Sequence, residues 1–235
     1  MVDTMVVGQV AGVEALAALG AVDFLMWVVT GISTGLTQGF SIQLSQYYGA
    51  KDFENLRKSL AHSYRLTAFI AAGVLILSQS FASLVLTGLH TPSNIIGMSL
   101  LYLRIIFCGI PATAAYNMFA SALRAMGNSK TPLTAMIIAS VLNVSLDILF
   151  VAGFGWGVAG AAIATVIAQS FSAVYCFLIL RRIDIVHLTR ADFMPASGMN
   201  ARLMKLGIPV VFQNIIIGVG GLVVQYVING YGFLL

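Results

Sequence analysis

The stretch TPLTAMIIASVLNVSLDILFVAGFG, residues 131–155, has Asp147 as its one ionisable side chain. A hydrocarbon core about 30 Å thick takes roughly 20 residues of apolar α-helix, so this segment is long enough to cross one. Comparable segments lie on both sides of it, at 24–48, 66–89, 105–123, 157–180 and 206–235. Together they predict six complete transmembrane helices in an all-α polytopic membrane protein. Residues 1–11 are apolar except for Asp3 but too short to cross. They are expected to be the last half of a helix whose beginning is absent.

Composition agrees with the bilayer. Hydrophobic residues make up 59% of the 235 positions and charged residues 9%, and the mean hydropathy is +0.96. A soluble domain carries about 25% charged residues and needs them to stay dispersed. The net charge of +4 does not point to a nucleic-acid partner, because the basic residues are distributed by loop. Lys51, Arg57, Lys58 and Arg65 follow the first complete span, Arg124 and Lys130 follow the third, and Arg181, Arg182, Arg190, Arg202 and Lys205 surround the last connection. That accounts for all but Arg104 of the twelve Lys and Arg residues, while the intervening connections hold none. Basic loops stay on the cytoplasmic side, so the chain is expected to be a multi-pass protein of the cell membrane with these loops inside. No cleavable leader is visible, and a first membrane helix can direct insertion without one.

Several function classes find no support. There is no Gly-rich phosphate loop, no His/Cys cluster and no Ser-His-Asp set, so no enzyme is expected. Cys108 and Cys176 both lie in apolar runs and read as small buried hydrophobes. His62, His90 and His187 are scattered near membrane boundaries and form no motif.

Polar groups inside the spans carry the functional reading. A carboxylate in a membrane helix is costly and usually faces a cavity or a partner. Met136, Ser140, Asn143 and Asp147 follow a 4-3-4 spacing, which puts them on one helical stripe. Such a stripe can line a cavity with a thioether, a hydroxyl, an amide and a carboxylate; the alternative is that Asn143 and Asp147 pair with a neighbouring helix. Asp3 would be a second buried carboxylate in a complete helix. Asp23 and Arg104 sit where an interface, or a snorkelling side chain, explains them. Gln38, Gln43, Gln46, Asn117 and the Thr165/Gln169 pair read as helix–helix hydrogen bonding. Gly31, Gly35 and Gly39 form a close-packing face, and Gly109-Ile110-Pro111 permits a bend.

The connection 182–201 is polar and holds Asp184, Asp192, Pro195 and Gly198, a linker composition. Residues 1–181 are then expected to be one helical lobe and 202–235 the first helix of a second. A faint repeat supports that division: VDTMVVG at 2–8 resembles VQYVING at 224–230, and parallel six-helix repeats are a transporter architecture.

These motifs resemble one family. VDTMVVG at 2–8 followed by EALAALG at 14–20 is similar to the first helix and loop of MATE (multidrug and toxic compound extrusion) transporters of the bacterial, DNA-damage-inducible-like branch. QLSQYYGAKD at 43–52 resembles the end of their second helix, and LRAMGNSKTP at 123–132 their loop between helices four and five. NVSLDILF at 143–150 and GVAGAAIAT at 157–165 resemble helix five and the start of helix six.

The resemblance implies half of a twelve-helix, two-lobe fold, and a secondary antiporter. Such a protein exports small cationic organic compounds in exchange for protons or sodium and has no cofactor beyond that gradient. It implies a coupling-ion cluster of Asp3, Tyr102, Asn117, Asn143, Asp147 and Thr165, with sodium possible at Asp3 and Asp147, and Met136 and Ser140 in the substrate cleft. Besides the lipid bilayer, it implies a missing second lobe or a second copy as partner. A non-transporting truncated fragment and a lipid-linked oligosaccharide flippase of the same superfamily are the alternatives.

Overall fold

The computed structural model describes residues 7–10, 12–196 and 198–230. Eight α-helices with bounds of their own follow in order: α1 Val13–Gly20, α2 Asp23–Gly49, α3 Phe53–Gly88, α4 Ile96–Cys108, α5 Ile110–Ala125, α6 Lys130–Asp147, α7 Gly157–Leu180 and α8 Met199–Gly230. Residues 7–10 are also helical. A π-helical segment, Ile148–Gly153, continues α6, and two 3-10 turns, Asp184–Val186 and Arg190–Phe193, lie between α7 and α8. No strand occurs among the described residues.

All six expected spans are present among the described residues, three of them beginning several residues earlier than expected, the last at Met199 rather than at 206. The second begins at Phe53 rather than at 66. At 1.5 Å per residue the 36 residues of α3 extend about 54 Å, well beyond a hydrocarbon core. Its first turns carry Arg57, Lys58 and Arg65. Asp52 caps it, accepting from the Asn55 backbone N–H at 3.1 Å and the Asn55 amide at 2.7 Å. These two bonds hold the Asp52 carboxyl below its ordinary range. The region 11–21, expected to be a connection, contains the short helix α1.

The third span begins at Ile96 instead of 105 and is a bent pair, α4 and α5, turning by 46°. The bend falls at Gly109, with Pro111 in the first turn of α5. The missing side chain is required there, because a Cβ on Gly109 would stand 2.7 Å from Val166 Cγ2 of α7. Arg104, placed early in this span by the sequence, is therefore well inside α4. It stays exposed, and its carbonyl accepts from Gln79 Nε2 at 2.8 Å.

The bundle is organised around α2 and α7. The first packs against α3, α5 and α8, the second against α4, α5 and α6. Two large apolar clusters fill it, beside a small one of Ala18, Ala21 and Ile95. One contains Leu19, Leu25, Leu86, Leu103, Phe107 and Val158; the other, at the end bearing the basic loops, contains Phe40, Leu44, Leu60, Met118, Leu123 and Leu203. The outer surface is equally apolar: Phe69, Ile76, Leu84, Val141 and Ile216 are all more than 60% exposed. A surface of that kind is stable only against lipid.

Gly31, Gly35 and Gly39 face α8. A Cβ on Gly35 would lie 2.8 Å from the Val211 backbone, and one on Gly39 would overlap the backbone of Gly207. Asn214 of α8 donates from Nδ2 to the Gly31 carbonyl at 3.1 Å. The close-packing face read from the sequence thus has a definite partner.

The connection before α8 is anchored rather than loose. Thr189 and Asp192 form a capping box, with Asp192 accepting from the Thr189 backbone N–H at 2.7 Å and its hydroxyl at 2.8 Å. Arg57 of α3 lies 3.8 Å from the same carboxylate. Arg65 donates to the Phe193 carbonyl at 3.0 Å. His62, only 2% exposed, is 3.1 Å from the Met194 carbonyl through Nε2 and 2.7 Å from Asn200 Oδ1 through Nδ1. Both ring nitrogens of this buried histidine are thus within hydrogen-bond distance of residues 194 and 200.

Candidate functional site

Three of the four residues on the α6 stripe share a wall. Met136, Ser140 and Asn143 line a cavity of about 300 Å³ together with Tyr116 of α5 and Thr165, Gln169 and Ser172 of α7. Their register on α6 follows from the helical period, and α7 faces them because its small residues allow approach: Gly160 sits 3.0 Å, by a Cβ placed on it, from Phe150 just beyond α6. The Asn143 amide donates from Nδ2 to Thr165 Oγ1 at 3.4 Å, closing one end of the cavity with a polar bridge between the two helices.

Asp147 keeps the register of the stripe, four residues after Asn143. It is the last residue of α6 and completely buried, but it is not among the residues that line the cavity. Immediately after it the helix widens into the π-helical segment, and such segments recur at functional sites. Packing around that segment is aromatic: Phe150 stacks on Trp156 with ring centroids 5.2 Å apart and on Phe154 at 6.0 Å. The carboxylate therefore lies inside protein, one helical turn beyond Asn143.

The remaining expected site residues are dispersed. Tyr102 of α4 is 5% exposed within the apolar cluster of Leu103 and Phe107. Asn117 of α5 donates from Nδ2 to Thr34 Oγ1 of α2 at 3.1 Å, so its amide links α5 to α2. Asp3 lies outside the described residues. Among the described residues no three His, Cys, Asp or Glu side chains stand together as a metal site would require.

Sequence reasoning passed over Tyr116 and Ser172 and treated Gln169 as a helix–helix contact. Gln169 Oε1 is buried and has no hydrogen-bond partner among the described residues. Its i,i+4 relation to Thr165 was the available signal, since it puts both on the face of α7 that meets α6. Among the described residues no Lys or Arg lines the cavity. Its polar groups are a phenol, hydroxyls and amides, a set rich in oxygen acceptors.

A bundle of bent and unbent apolar helices around a polar cavity is the architecture of a polytopic membrane protein. The MatE family profile matches residues 1–149, and the chain belongs to that family. It is 31% identical over 231 residues to the "Probable multidrug resistance protein YpnP" of Bacillus subtilis (strain 168), covering 98% of this chain and 52% of the relative. The "Multidrug export protein MepA" of Staphylococcus saprophyticus is 25% identical over 87% of the chain and 46% of its own length. A solved structure described as the "Inward-facing conformation of a multidrug resistance MATE family transporter of the MOP superfamily" superposes with a TM-score of 0.86. It is 23% identical and is matched over 93% of this chain and 50% of its own. A MOP superfamily transporter from Pyrococcus furiosus superposes with a TM-score of 0.85 at 24% identity, over 91% of this chain and 48% of that one. The chain spans about half the length of the curated relatives it matches, as half of a MATE fold would.

Proposed function

We propose that this chain forms the first lobe, and with α8 the first helix of the second lobe, of a secondary antiporter. It exports small cationic organic compounds in exchange for protons or sodium. The observation that carries this reading is the cavity between α6 and α7, which is rich in acceptors, bridged by Asn143 and Thr165, free of Lys and Arg among the described residues, and followed one turn later by the buried carboxylate of Asp147. A cation is stabilised by oxygen acceptors and by a carboxylate at membrane depth. A proton or sodium ion arriving at Asp147 removes that negative charge, and the hold on a cationic compound weakens. Coupling in this scheme is competition for one charge. The multidrug names of the relatives favour drug export. In this reading the basic loops face the cytoplasm, and the second wall of the cleft comes from a second lobe or a second copy.

The flippase alternative needs cationic groups to hold a lipid-linked pyrophosphate, and among the described residues the cavity lining offers none. The test is export of ethidium from cells expressing the reading frame that contains this chain, compared with the same frame carrying Asp147→Asn. Export that stops with the substitution, and with collapse of the proton or the sodium gradient, supports the reading. Undiminished gradient-driven export by the variant overturns the role of Asp147. No export by either form favours the non-transporting fragment.

A further inference from the structure

We infer that a second cavity, at the basic end of the bundle, is a binding site for an anionic phospholipid. It lies between α3, α7 and the connection that precedes α8, holds about 430 Å³, and is lined by Tyr64, Phe177, Leu180, Arg181, His187 and Phe193 among others. That volume falls in the range of sites that hold small molecules. Its position is at a membrane boundary, because α7 ends at Leu180 and Arg181 follows directly. The inference rests on the membrane placement of the chain and not on transport.

One wall is apolar and one is cationic. Phe177 is 39% exposed and Phe193 38%, and behind them Tyr64 and Phe177 both pack against Phe119, at 5.5 and 5.2 Å. Acyl chains have a continuous aromatic surface to lie on. Arg181 is exposed and makes no ion pair among the described residues. Arg65 stands at the rim, held there by its bond to the Phe193 carbonyl. Of the nearby acids, Asp192 is taken up by Thr189 and Arg57, while Asp184 is 3.7 Å from His187 and fully exposed. The balance at the rim is positive. A guanidinium holds a phosphate through two parallel hydrogen bonds, and basic pockets between membrane helices take lipid head groups in this way. A free phosphate ion would satisfy Arg181 but leave the aromatic wall uncovered, so a membrane phosphodiester is the occupant that fits both walls.

The experiment is thermal melting of the purified chain in detergent, with phosphatidylglycerol, phosphatidylcholine or inorganic phosphate added. Phosphatidylglycerol should raise the midpoint and the other two should not. Arg181→Ala should weaken the phosphatidylglycerol effect about fivefold, the share of one basic residue at a membrane surface. Arg182→Ala, next in sequence but outside the lining, should leave it unchanged. Leu188→Trp fills the cavity without altering charge and should abolish the effect, so a poorly folded Arg181 variant does not decide the matter alone. Equal effects of the two lipids, an equal effect of inorganic phosphate, or equal losses from Arg181→Ala and Arg182→Ala would each overturn the inference.

Discussion

The Asn143 amide reaches across from α6 to the hydroxyl of Thr165 on α7, 3.4 Å away, and so ties together the two helices that wall the candidate cavity. Thr165→Val keeps the shape and removes the acceptor. A hydrogen bond of this kind is worth about 1 kcal/mol net, so export should fall roughly fivefold, while Thr165→Ser should retain most of it. Ethidium efflux by both variants checks this; equal activity of Val and Ser would show the bond to be immaterial.

Asp147→Asn preserves volume and hydrogen-bonding capacity while removing the ionisable group. The expected outcome is a protein that inserts and melts normally but has lost ion-coupled export by at least about tenfold, the minimum for a group that carries the coupled charge. Expression and melting of the variant must be measured beside transport. A variant that both folds and pumps contradicts the assignment.

Gly39→Leu puts a side chain where the Gly207 backbone lies. Overpacking of this kind costs about 1–3 kcal/mol, so the melting midpoint should drop by several degrees. Gly73→Ala is the control: nothing stands within 4 Å of a Cβ there, and the substitution should be neutral or slightly stabilising. Identical melting of the two variants would refute the close contact.

His62→Leu removes two contacts that hold residues 194 and 200 against α3. Leaving the Met194 carbonyl without this partner costs about 1–3 kcal/mol, and the connection should loosen. Limited trypsin digestion should then cut faster at Arg190, while cleavage at Arg124, in the last turn of α5, keeps its rate. An unchanged rate at Arg190 would mean the anchor lies elsewhere.

Acid should weaken the start of α3. The Asp52 carboxyl is held below its ordinary value by its bonds to Asn55. A depressed folded-state value means that the stabilisation is present above the ordinary carboxylate range and is lost as pH falls through the lowered one. The protection factor of the Asn55 amide, its exchange relative to an unstructured chain at the same pH, should therefore be high near neutral pH and fall below about pH 4, the ordinary range for this group. In Asp52→Ala the acid-dependent step should be missing.

Much of this architecture could be read from residue order, because lipid imposes a simple demand: long charge-free runs must be helices. The runs around Leu36, Val141 and Ala168 meet it without ambiguity. Boundaries were less legible. Arg104 pushed the expected start of the third span past its true one, since a lone exposed arginine on α4 is indistinguishable by sequence from a terminal one. The stripe on α6 extrapolated an ideal period, and it held for Met136, Ser140 and Asn143. Asp147 keeps that register without lining the cavity, and the widening of the helix just after it goes with packing of Phe150 against Gly160 and Trp156. Tertiary contacts of that kind leave no periodic trace. The tie from Asn117 to Thr34 was likewise invisible, because either amide or hydroxyl could have faced several neighbours. The linker composition at 182–201 described chain polarity correctly but not its anchoring, which depends on His62 and Arg65 more than a hundred positions earlier.

The contact of α2 with α8 has a further consequence. Where two backbones touch at Gly35 and Gly39 there is no volume for an acyl tail to enter, and the polar side chain at Gly31, Asn214, already spends its amide on the Gly31 carbonyl. The seam from Gly31 to Gly39 is therefore a sealed edge of the bundle, with no lateral window at that line. A hydrophobic molecule diffusing in the bilayer meets a closed wall there, and must reach the polar cavity from another flank.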